Sequence, residues 1–266
     1  MLRKIIGRKQ SSTNKEFQTV FENVPAYVSL DHIKKVQELA VNDIIKSTDG
    51  LETAISYSGG KDATVLAHLC NLAGLHRGCI GITRGLEYKA FLSWLKMNMP
   101  KGIEYSYTDQ DMKWLFKNQD WALFPNKKNS VRLRNVTHRA SEENYVKKYN
   151  IEMMIYGRRI LDGNFCGTKK IYKAKHRLQY NPIREWSHEE VLGYLVYFNI
   201  PLAPQYYQKD RWLEGVNLWS YLEYAGNINN AWDQVYRMEK EIVLKASIGI
   251  KSARDYLNKR NQRSTA

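Results

Sequence analysis

Cysteine is scarce in this chain, and the few cysteines form no pattern. Only Cys70, Cys79 and Cys166 occur among the 266 residues, and no two of them have the spacing of a Cys-x-x-Cys motif. An odd number of unpatterned cysteines argues against a disulfide framework and against a zinc or iron–sulfur site. We therefore expect three buried thiols and no iron–sulfur cluster.

Long apolar runs are also missing. No segment reaches the roughly 18 to 20 consecutive apolar residues that a membrane-spanning helix needs. The N-terminus from Met1 to Lys9 is basic, but neither an apolar core nor a small-residue cleavage site follows it, as would be found in a signal peptide. These absences predict a globular, cytoplasmic protein that does not engage a membrane.

Acidic residues are the third shortage. The 27 Asp and Glu are outnumbered by 41 Lys and Arg, which gives a formal net charge of +14. A surface this basic attracts polyanions, among them nucleotides, sulfate esters, DNA and RNA. Charge alone does not choose among these ligands, so the choice depends on motifs.

Strand-like and helix-like segments alternate through the first part of the chain. Their spacing predicts strands at 53–57, 79–83, 103–107 and 153–157, with amphipathic helices between them. Alternation of this kind implies a parallel sheet with right-handed crossovers and helices on both faces. The predicted fold class is therefore α/β.

Composition divides the chain into three parts. Residues 1–30 are expected to form a flexible or loosely docked basic arm, 31–207 the α/β domain, and 208–266 a helical extension rich in aromatic and basic residues. Asp31 is the expected cap of the first helix, and Ser187 with Glu190 has the capping-box pattern. The basic segments 117–139 and 163–180 are expected as loops, and 169–177 is either a lid over the site or a solvated basic surface.

A glycine pair follows the first predicted strand, in the sequence Ser58-Gly59-Gly60-Lys61-Asp62. Glycines let the backbone turn tightly and let several N–H groups converge on an anion, because no Cβ blocks its approach. The helix that begins there adds the positive end of its dipole. Lys61 supplies a full charge, Ser58 a hydroxyl, and Asp62 either a helix cap or a ligand for Mg²⁺. The segment is a candidate phosphate site.

This loop is not a Walker A motif, which would need glycine in place of Ile55 and Ser or Thr in place of Asp62. It resembles the PP-loop, Ser-Gly-Gly-x-Asp-Ser/Thr, of the adenine nucleotide α-hydrolase superfamily. The form Ser-Tyr-Ser-Gly-Gly-Lys-Asp at 56–62 is most similar to the phosphoadenosine phosphosulfate (PAPS) reductase branch. The resemblance implies a Rossmann-like parallel sheet with helices on both faces, followed by a C-terminal helical region.

Three further segments resemble the same branch. Residues 81–87 are similar to the family's second-strand segment, which passes beside the nucleoside, although Arg84 separates Thr83 from Gly85 here. Residues 156–163 contain a Gly-x-Arg element, whose arginine faces phosphate or sulfate in the family. Residues 181–202 resemble the Pro-Ile-x-x-Trp…Val…Tyr…Ile-Pro stretch. The resemblance covers about residues 50–207.

The resemblance implies a site for ATP or PAPS, with Mg²⁺ bound to Asp62. Lys61, Asp62 and Arg158 are the expected catalytic residues, and we favour Arg158 over Arg159 as the phosphate contact. The residues expected to bind the nucleotide are Ser56, Tyr57, Ser58, Gly59, Gly60, Lys61, Asp62, Thr64, Thr83, Glu87, Gly157, Arg158 and Arg159.

Some candidate residues have a plainer interpretation. Glu87 contacts ribose or metal in one interpretation and is a solvated residue of a first helical turn in the other. His176 and His188 are expected as surface or capping histidines rather than general bases. The tryptophans and tyrosines of 206–236 are expected to pack helices together.

Two departures from the family pattern bear on the chemistry. Ala63 stands where the loop usually ends in serine, with Thr64 one position later. The family's reductases attack sulfur with a cysteine in a Glu-Cys-Gly-Leu-His segment, yet no cysteine follows Cys166 in this sequence. Since other side chains cannot replace a thiolate nucleophile, we expect the nucleotide chemistry of the family without its reductase step.

Three functions fit this pattern. The first is an ATP pyrophosphatase that transfers the adenylyl group to an acceptor and so activates it, for sulfur delivered by a persulfide-donor protein. DNA or RNA is a candidate acceptor, since an ATP pyrophosphatase of DNA phosphorothioation systems belongs to this branch. The second function is binding of PAPS or another adenylyl sulfate and transfer or reduction of its sulfuryl group. The third is a nucleotide sensor or nucleic-acid-binding protein without turnover. A homo-oligomer is compatible with all three.

Overall fold

A six-stranded sheet organises the residues that the computed structural model describes, which are 1–163, 165–174 and 176–264. The strands are β1 (Thr53–Tyr57), β2 (Gly78–Thr83), β3 (Ile103–Thr108), β4 (Met153–Ile155), β5 (Ile171–Ala174) and β6 (Arg177–Tyr180). Their spatial order is β3-β2-β1-β4-β6-β5, and only the β5–β6 pair is antiparallel. The α/β prediction and all four predicted strands are confirmed.

The strand order places a topological switch point between β1 and β4. From β1 the chain proceeds outward to β2 and β3, and it then crosses back to β4 on the other side of β1. Ile55 of β1 is opposite Gly78 of β2 and Ile155 of β4. In open parallel sheets, ligands bind in the crevice outside the carboxyl ends of the strands at such a point. The predicted phosphate loop follows β1 and therefore lies at this crevice.

Helices cover both faces of the sheet and continue beyond it. They are α1 (Asn14–Glu22), α2 (Val24–Tyr27), α3 (Leu30–Thr48), α4 (Lys61–Leu72), α5 (Lys89–Asn98), α6 (Met112–Ala122), α7 (Lys127–Arg134), α8 (Ala140–Tyr149), α9 (His188–Tyr197), α10 (Ile228–Met238), α11 (Lys240–Gly249) and α12 (Lys251–Ser264). A π-helical turn, Asn135–Arg139, joins α7 to α8. The C-terminal helical region is thus present as predicted.

Alternation along the strands assigns each face its own helices. Ile55, Ile80 and Ile155 belong to the large core that also contains residues of α3, α4 and α9. The intervening side chains face α8 and form a smaller cluster with it, made of Ala54, Cys79, Tyr145, Ile151, Met154 and Tyr156. A buried parallel sheet needs cover on both faces, and these two clusters provide it.

The N-terminal segment is folded, contrary to the expectation of a flexible arm. Thr13 and Glu16 form a capping box at the start of α1, and Phe17 and Val20 of that helix are fully buried. The helix packs against α9. The signal was present in the sequence, because Phe17, Val20 and Val24 recur at helical spacing among polar residues. The basic charge of the segment obscured this pattern.

Other predicted boundaries also need correction. Ser29, not Asp31, caps α3, and its side chain accepts the His32 N–H. Most of the segment 117–139 is helical rather than a loop, and most of 163–180 forms the β5–β6 hairpin that extends the sheet. Lys175, within the basic run 169–177, is outside the described residues. By contrast, Ser187 caps α9 with Glu190 as its capping-box partner, as predicted.

Within the described ranges, no helix is both long enough and apolar enough to cross a lipid bilayer. The three cysteines, Cys70, Cys79 and Cys166, are free and buried, as the sequence predicts.

Candidate functional site

The loop between β1 and α4 depends on a backbone conformation that glycine alone adopts easily. Gly59 has φ +72°, and a Cβ there would lie 2.7 Å from Cε2 of Phe91. Gly60 is the N-cap of α4, and the helix begins at Lys61. Gly59 is therefore required both for the positive φ and for the close approach of α5.

The amide groups of this loop point to an anion site. The first N–H groups of a helix have no acceptor within the helix, and the helix dipole makes that end positive. Ser58 is exposed beside them, and its hydroxyl accepts the Gly60 N–H at 3.3 Å. The Lys61 N–H already donates to the hydroxyl of Tyr206 at 3.0 Å. An anion at this loop would therefore use other amides, or displace the Ser58 hydroxyl from Gly60 and the Tyr206 hydroxyl from Lys61.

The Lys61 side chain is directed into the protein, where it pairs with its neighbour Asp62. Its Nζ lies 2.6 Å from Oδ2 of Asp62, and only 4% of the side chain is exposed. The other Asp62 oxygen, Oδ1, accepts from Nε of Arg159 at 2.7 Å. Burial alone would raise the pKa of the Asp62 carboxyl, but Arg159 and Lys61 hold it well below its usual range. Asp62 is therefore a carboxylate that holds two cations.

This arrangement does not fit the expected role of Asp62 as a Mg²⁺ ligand. Each of its oxygens is already bound to a cationic nitrogen. Among the described residues, no group of three or more His, Cys, Asp or Glu side chains is placed to hold a metal ion.

Arg159 and Arg158 are adjacent in sequence but occupy different environments. Arg159 is fully buried, and it donates to the Trp186 carbonyl at 3.0 Å and to Asp162 at 3.1 Å. Arg158 is half-buried, with its guanidinium 3.8 Å from the ring centroid of Tyr156 and Nη1 2.9 Å from Oε1 of Gln179. The contacts of Arg159 are thus structural, and Arg158 is the better placed of the two to contact a ligand.

His188 is buried rather than on the surface, so the interpretation as a surface or capping histidine is wrong. Nη2 of Arg159 lies 2.9 Å from its Nδ1. Because a guanidinium can only donate, Nδ1 accepts and the imidazole proton is on Nε2. Burial and the nearby Arg159 lower the pKa of His188 to about 2. The ring is therefore neutral across the physiological range.

Glu87 also lies inside the protein, which excludes the interpretation as a solvated helix residue. Its Oε1 accepts the N–H and the hydroxyl of Thr83, both at 3.2 Å, and its exposure is 9%. Burial raises the pKa of its carboxyl to about 7, although the Thr83 hydrogen bonds oppose this shift. The contact of Glu87 with ribose stays a prediction.

The remaining predicted residues divide between the two sides of the loop. Ser56 donates to Glu142 of α8 at 2.9 Å on one face of the sheet. On the other face, the hydroxyls of Tyr57 and Thr64 are 3.5 Å apart and both residues are buried. These hydroxyls support the loop from within the protein.

Gly157 brings the end of β4 against the start of α4. A Cβ on Gly157 would lie 2.8 Å from the Asp62 carbonyl oxygen. The Gly-x-Arg element thus needs its glycine for this approach.

The sequence does not predict Tyr206 as a site residue, because nothing near Pro204 distinguishes it from the other aromatic residues of 206–236. Its hydroxyl touches the loop only because the chain folds back onto it.

Comparison of sequences assigns the family. Residues 52–249 match the model described as "Phosphoadenosine phosphosulfate reductase domain", which is well over half of the chain. The chain belongs to this PAPS reductase family. The match extends beyond the 50–207 range of the resemblance and includes α10 and α11. Family members are enzymes that act on nucleotides.

Solved structures with a similar fold share little sequence with the chain. PAPS reductase from Candida auris, a phosphate complex, is 11% identical with a TM-score of 0.45, over 66% of this chain and 90% of that one. NMN synthetase from Francisella tularensis is 14% identical with a TM-score of 0.45, over 80% and 95%. The U34-tRNA thiolase NcsA from Methanococcus maripaludis, with its 4Fe–4S cluster, is 12% identical with a TM-score of 0.41, over 85% and 78%. No curated protein matches the sequence.

The two arginines provide a first test of the site. Arg159→Ala leaves Lys61 as the remaining buried cation beside Asp62 and Asp162, so we expect it to lower the free energy of unfolding by about 3 to 5 kcal/mol. Arg158→Ala is the matched control and is expected to cost about 1 kcal/mol or less. Urea unfolding of both variants measures the difference. Equal losses would contradict the assignment of Arg159 as the buried member.

Glu87 predicts a specific pH dependence of stability. Its carboxyl has an ordinary value of 4.5 and a raised value of about 7 in the folded protein, so the native state retains a proton between these values. The stabilisation from that proton is present below pH 4.5 and is lost as the pH rises to 7. As the pH rises through this range, the free energy of unfolding of Glu87→Gln should therefore increase by up to about 3 kcal/mol relative to that of the wild type. Denaturant unfolding at several pH values measures it.

Glu38→Gln, at an exposed position of α3, is the control for this test and should follow the wild type. A constant difference between wild type and Glu87→Gln from pH 4.5 to 7 would show that the Glu87 pKa is not raised.

Proposed function

We propose that the chain binds ATP at the Ser58–Lys61 loop and cleaves it between the α- and β-phosphates, transferring the adenylyl group to an acceptor. The observation that carries this proposal is the position of the glycine loop, which ends β1 at the topological switch point and begins α4. Membership of the PAPS reductase family supports a nucleotide ligand.

The loop and Arg158 supply the electrostatic part of the reaction in this proposal. The N–H groups around Gly59 and Gly60 bind the β- and γ-phosphates, and the exposed Ser58 hydroxyl adds a donor. An acceptor oxygen attacks the α-phosphorus, the bond to the bridging oxygen breaks, and pyrophosphate leaves with that electron pair. Fixed donors aimed at the leaving group stabilise the charge that develops on it.

Lys61 contributes less to binding the phosphates in this proposal than its position in the loop suggests. Its ammonium is 2.6 Å from the Asp62 carboxylate, which offsets much of its charge. We therefore assign Lys61 and Asp62 to holding the loop, and Arg158 to the charge of the phosphates.

The three cysteines are poorly placed to supply sulfur, so any sulfur that is transferred would come from another molecule. Cys70, Cys79 and Cys166 are all buried. Burial raises the pKa of Cys79 to about 12, and that of Cys70 further. Because the thiolate is the nucleophile, the thiols of Cys70 and Cys79 are inert at neutral pH. A persulfide-donor protein would then supply sulfur, and the net charge of +14 makes DNA or RNA a suitable acceptor.

Measurement of the released product separates the proposal from its rivals. The proposed enzyme is stabilised against heat by ATP and releases pyrophosphate when acceptor is present. Selective stabilisation by PAPS, with turnover of its sulfuryl group, would favour the adenylyl-sulfate alternative. Binding of ATP without release of pyrophosphate with DNA, RNA or a persulfide donor present would favour a nucleotide sensor.

Two glycines give a matched test of the loop. Gly59 and Gly50 have φ values of +72° and +70°, but a Cβ on Gly50 meets nothing within 4 Å, whereas one on Gly59 meets Phe91. Both Gly→Ala variants carry comparable backbone strain, of about 1 kcal/mol. We expect Gly59→Ala to abolish stabilisation by ATP and release of pyrophosphate, and Gly50→Ala to retain both. Retention of ATP binding by a folded Gly59→Ala variant would refute the loop as the phosphate site.

A further inference from the structure

The N-terminal segment crosses the carboxyl edge of the sheet beside the phosphate loop. The N–H groups of Ile5 and Ile6 donate to the same Glu189 oxygen, at 2.6 and 2.8 Å. Further along, Gln10 donates to the Asp162 carbonyl at 3.1 Å. Asn14 then accepts the Leu213 N–H at 2.8 Å. Residues 5–14 thus join the start of α9, the turn after β4 and the segment that precedes α10.

Lys9 is carried by this segment into a partly buried position. Its Nζ lies 5.3 Å from the ring centroid of Tyr224, whose N–H is bound to the Glu214 carboxylate. Within the described residues, no carboxylate oxygen lies within 4.0 Å of this Nζ, whereas the Lys61 Nζ has two, on Asp62 and Asp162. Lys9 is therefore a partly buried cation without an ion-pair partner in the described part of the chain.

Positive charge is concentrated around the loop. Lys61 and Arg159 are paired with Asp62 and Asp162, and the buried Glu189 also acts on Arg159, whereas Asp62 and Asp162 act on Lys9 only at longer range. Burial raises the pKa of the nearby Glu214 to about 7, so Glu214 carries only part of a charge at neutral pH. A bound phosphate chain would give Lys9 the ion-pair partner that it does not have among the described residues.

We infer that Lys9 is a ligand-binding residue of this site, which contacts the phosphate chain of the nucleotide from the N-terminal side. The inference rests on the proposed function and adds to it a residue outside the family match at 52–249. It also gives the N-terminal segment a role, because the bonds of Ile5, Ile6, Gln10 and Asn14 hold Lys9 in place.

The protonation of Lys9 is consistent with a missing anion. Burial lowers the pKa of its ammonium, and the positive charge of Lys61 lowers it further, while Asp162 and Asp62 oppose the shift. A phosphate beside both lysines would reverse this balance. An unpaired, partly buried cation is costly to a folded protein unless a ligand offsets it.

The test compares two lysines of the same segment. Lys15 is exposed on α1, so Lys15→Gln removes the same charge without changing the site. We would measure the dissociation constants of ATP and of inorganic pyrophosphate by isothermal titration calorimetry for the wild type, Lys9→Gln, Lys9→Arg and Lys15→Gln. Loss of a charge-assisted hydrogen bond should weaken binding of both ligands to Lys9→Gln about tenfold. Lys15→Gln should stay within about twofold of the wild type.

The outcomes separate the inference from the function on which it rests. Wild-type protein that binds ATP, with Lys9→Gln binding equally well, would overturn the role of Lys9 and leave the proposed function intact. Wild-type protein that binds neither ligand would overturn both. The melting temperature without ligand shows whether Lys9→Gln is merely misfolded; if it falls, recovery of affinity in Lys9→Arg supports the inference and failure to recover overturns it.

Discussion

The buried guanidinium of Arg159 is the contact on which the rest of the site depends. It joins three elements that are distant in sequence: the end of β4, which carries it, the start of α4 through Asp62, and the start of α9 through the Trp186 carbonyl and His188. Removing such a charge from water costs several kcal/mol, and only good geometry with several partners offsets that cost. Because Asp62 is bound to Arg159 and to Lys61, the first turn of α4 is fixed at the switch point. Of the loop residues before this helix, Ser58 is exposed, whereas Gly59 is buried beside Phe91.

This contact separates the cations near the loop into two groups. Lys61 and Arg159 are paired with Asp62 and Asp162, so their charges act mainly within the protein. Arg158, half-buried over Tyr156, and Lys9, without a carboxylate partner among the described residues, are the cations with charge to offer a ligand. In the proposed site, the sequence motif identifies the residues that build the loop. Of the two cations proposed to contact the phosphates, Lys9 lies outside that motif.

Local patterns in the sequence were sufficient for four of the six strands and for the loop. Strands β1 to β4, the glycine turn and the Ser187–Glu190 capping box depend on neighbours within a few residues, and all are present, whereas the β5–β6 hairpin was expected as a loop. Features that depend on tertiary packing could not be predicted from the sequence. Nothing local shows that His188 is buried against Arg159, or that Tyr206 returns to the Lys61 amide. The N-terminal helices are an intermediate case, since the spacing of Phe17, Val20 and Val24 was visible but the basic charge suggested an arm.

The central claim is that the amides at Gly59 and Gly60 receive a diphosphate. A crystal structure of the protein with the α,β-methylene analogue of ATP, which cannot be cleaved at that bond, tests it most directly. We predict that oxygens of the β- or γ-phosphate lie within about 3 Å of these loop nitrogens, with the Arg158 guanidinium turned toward them. A structure in which the analogue is bound elsewhere, while the loop amides contact only protein atoms, would contradict the account.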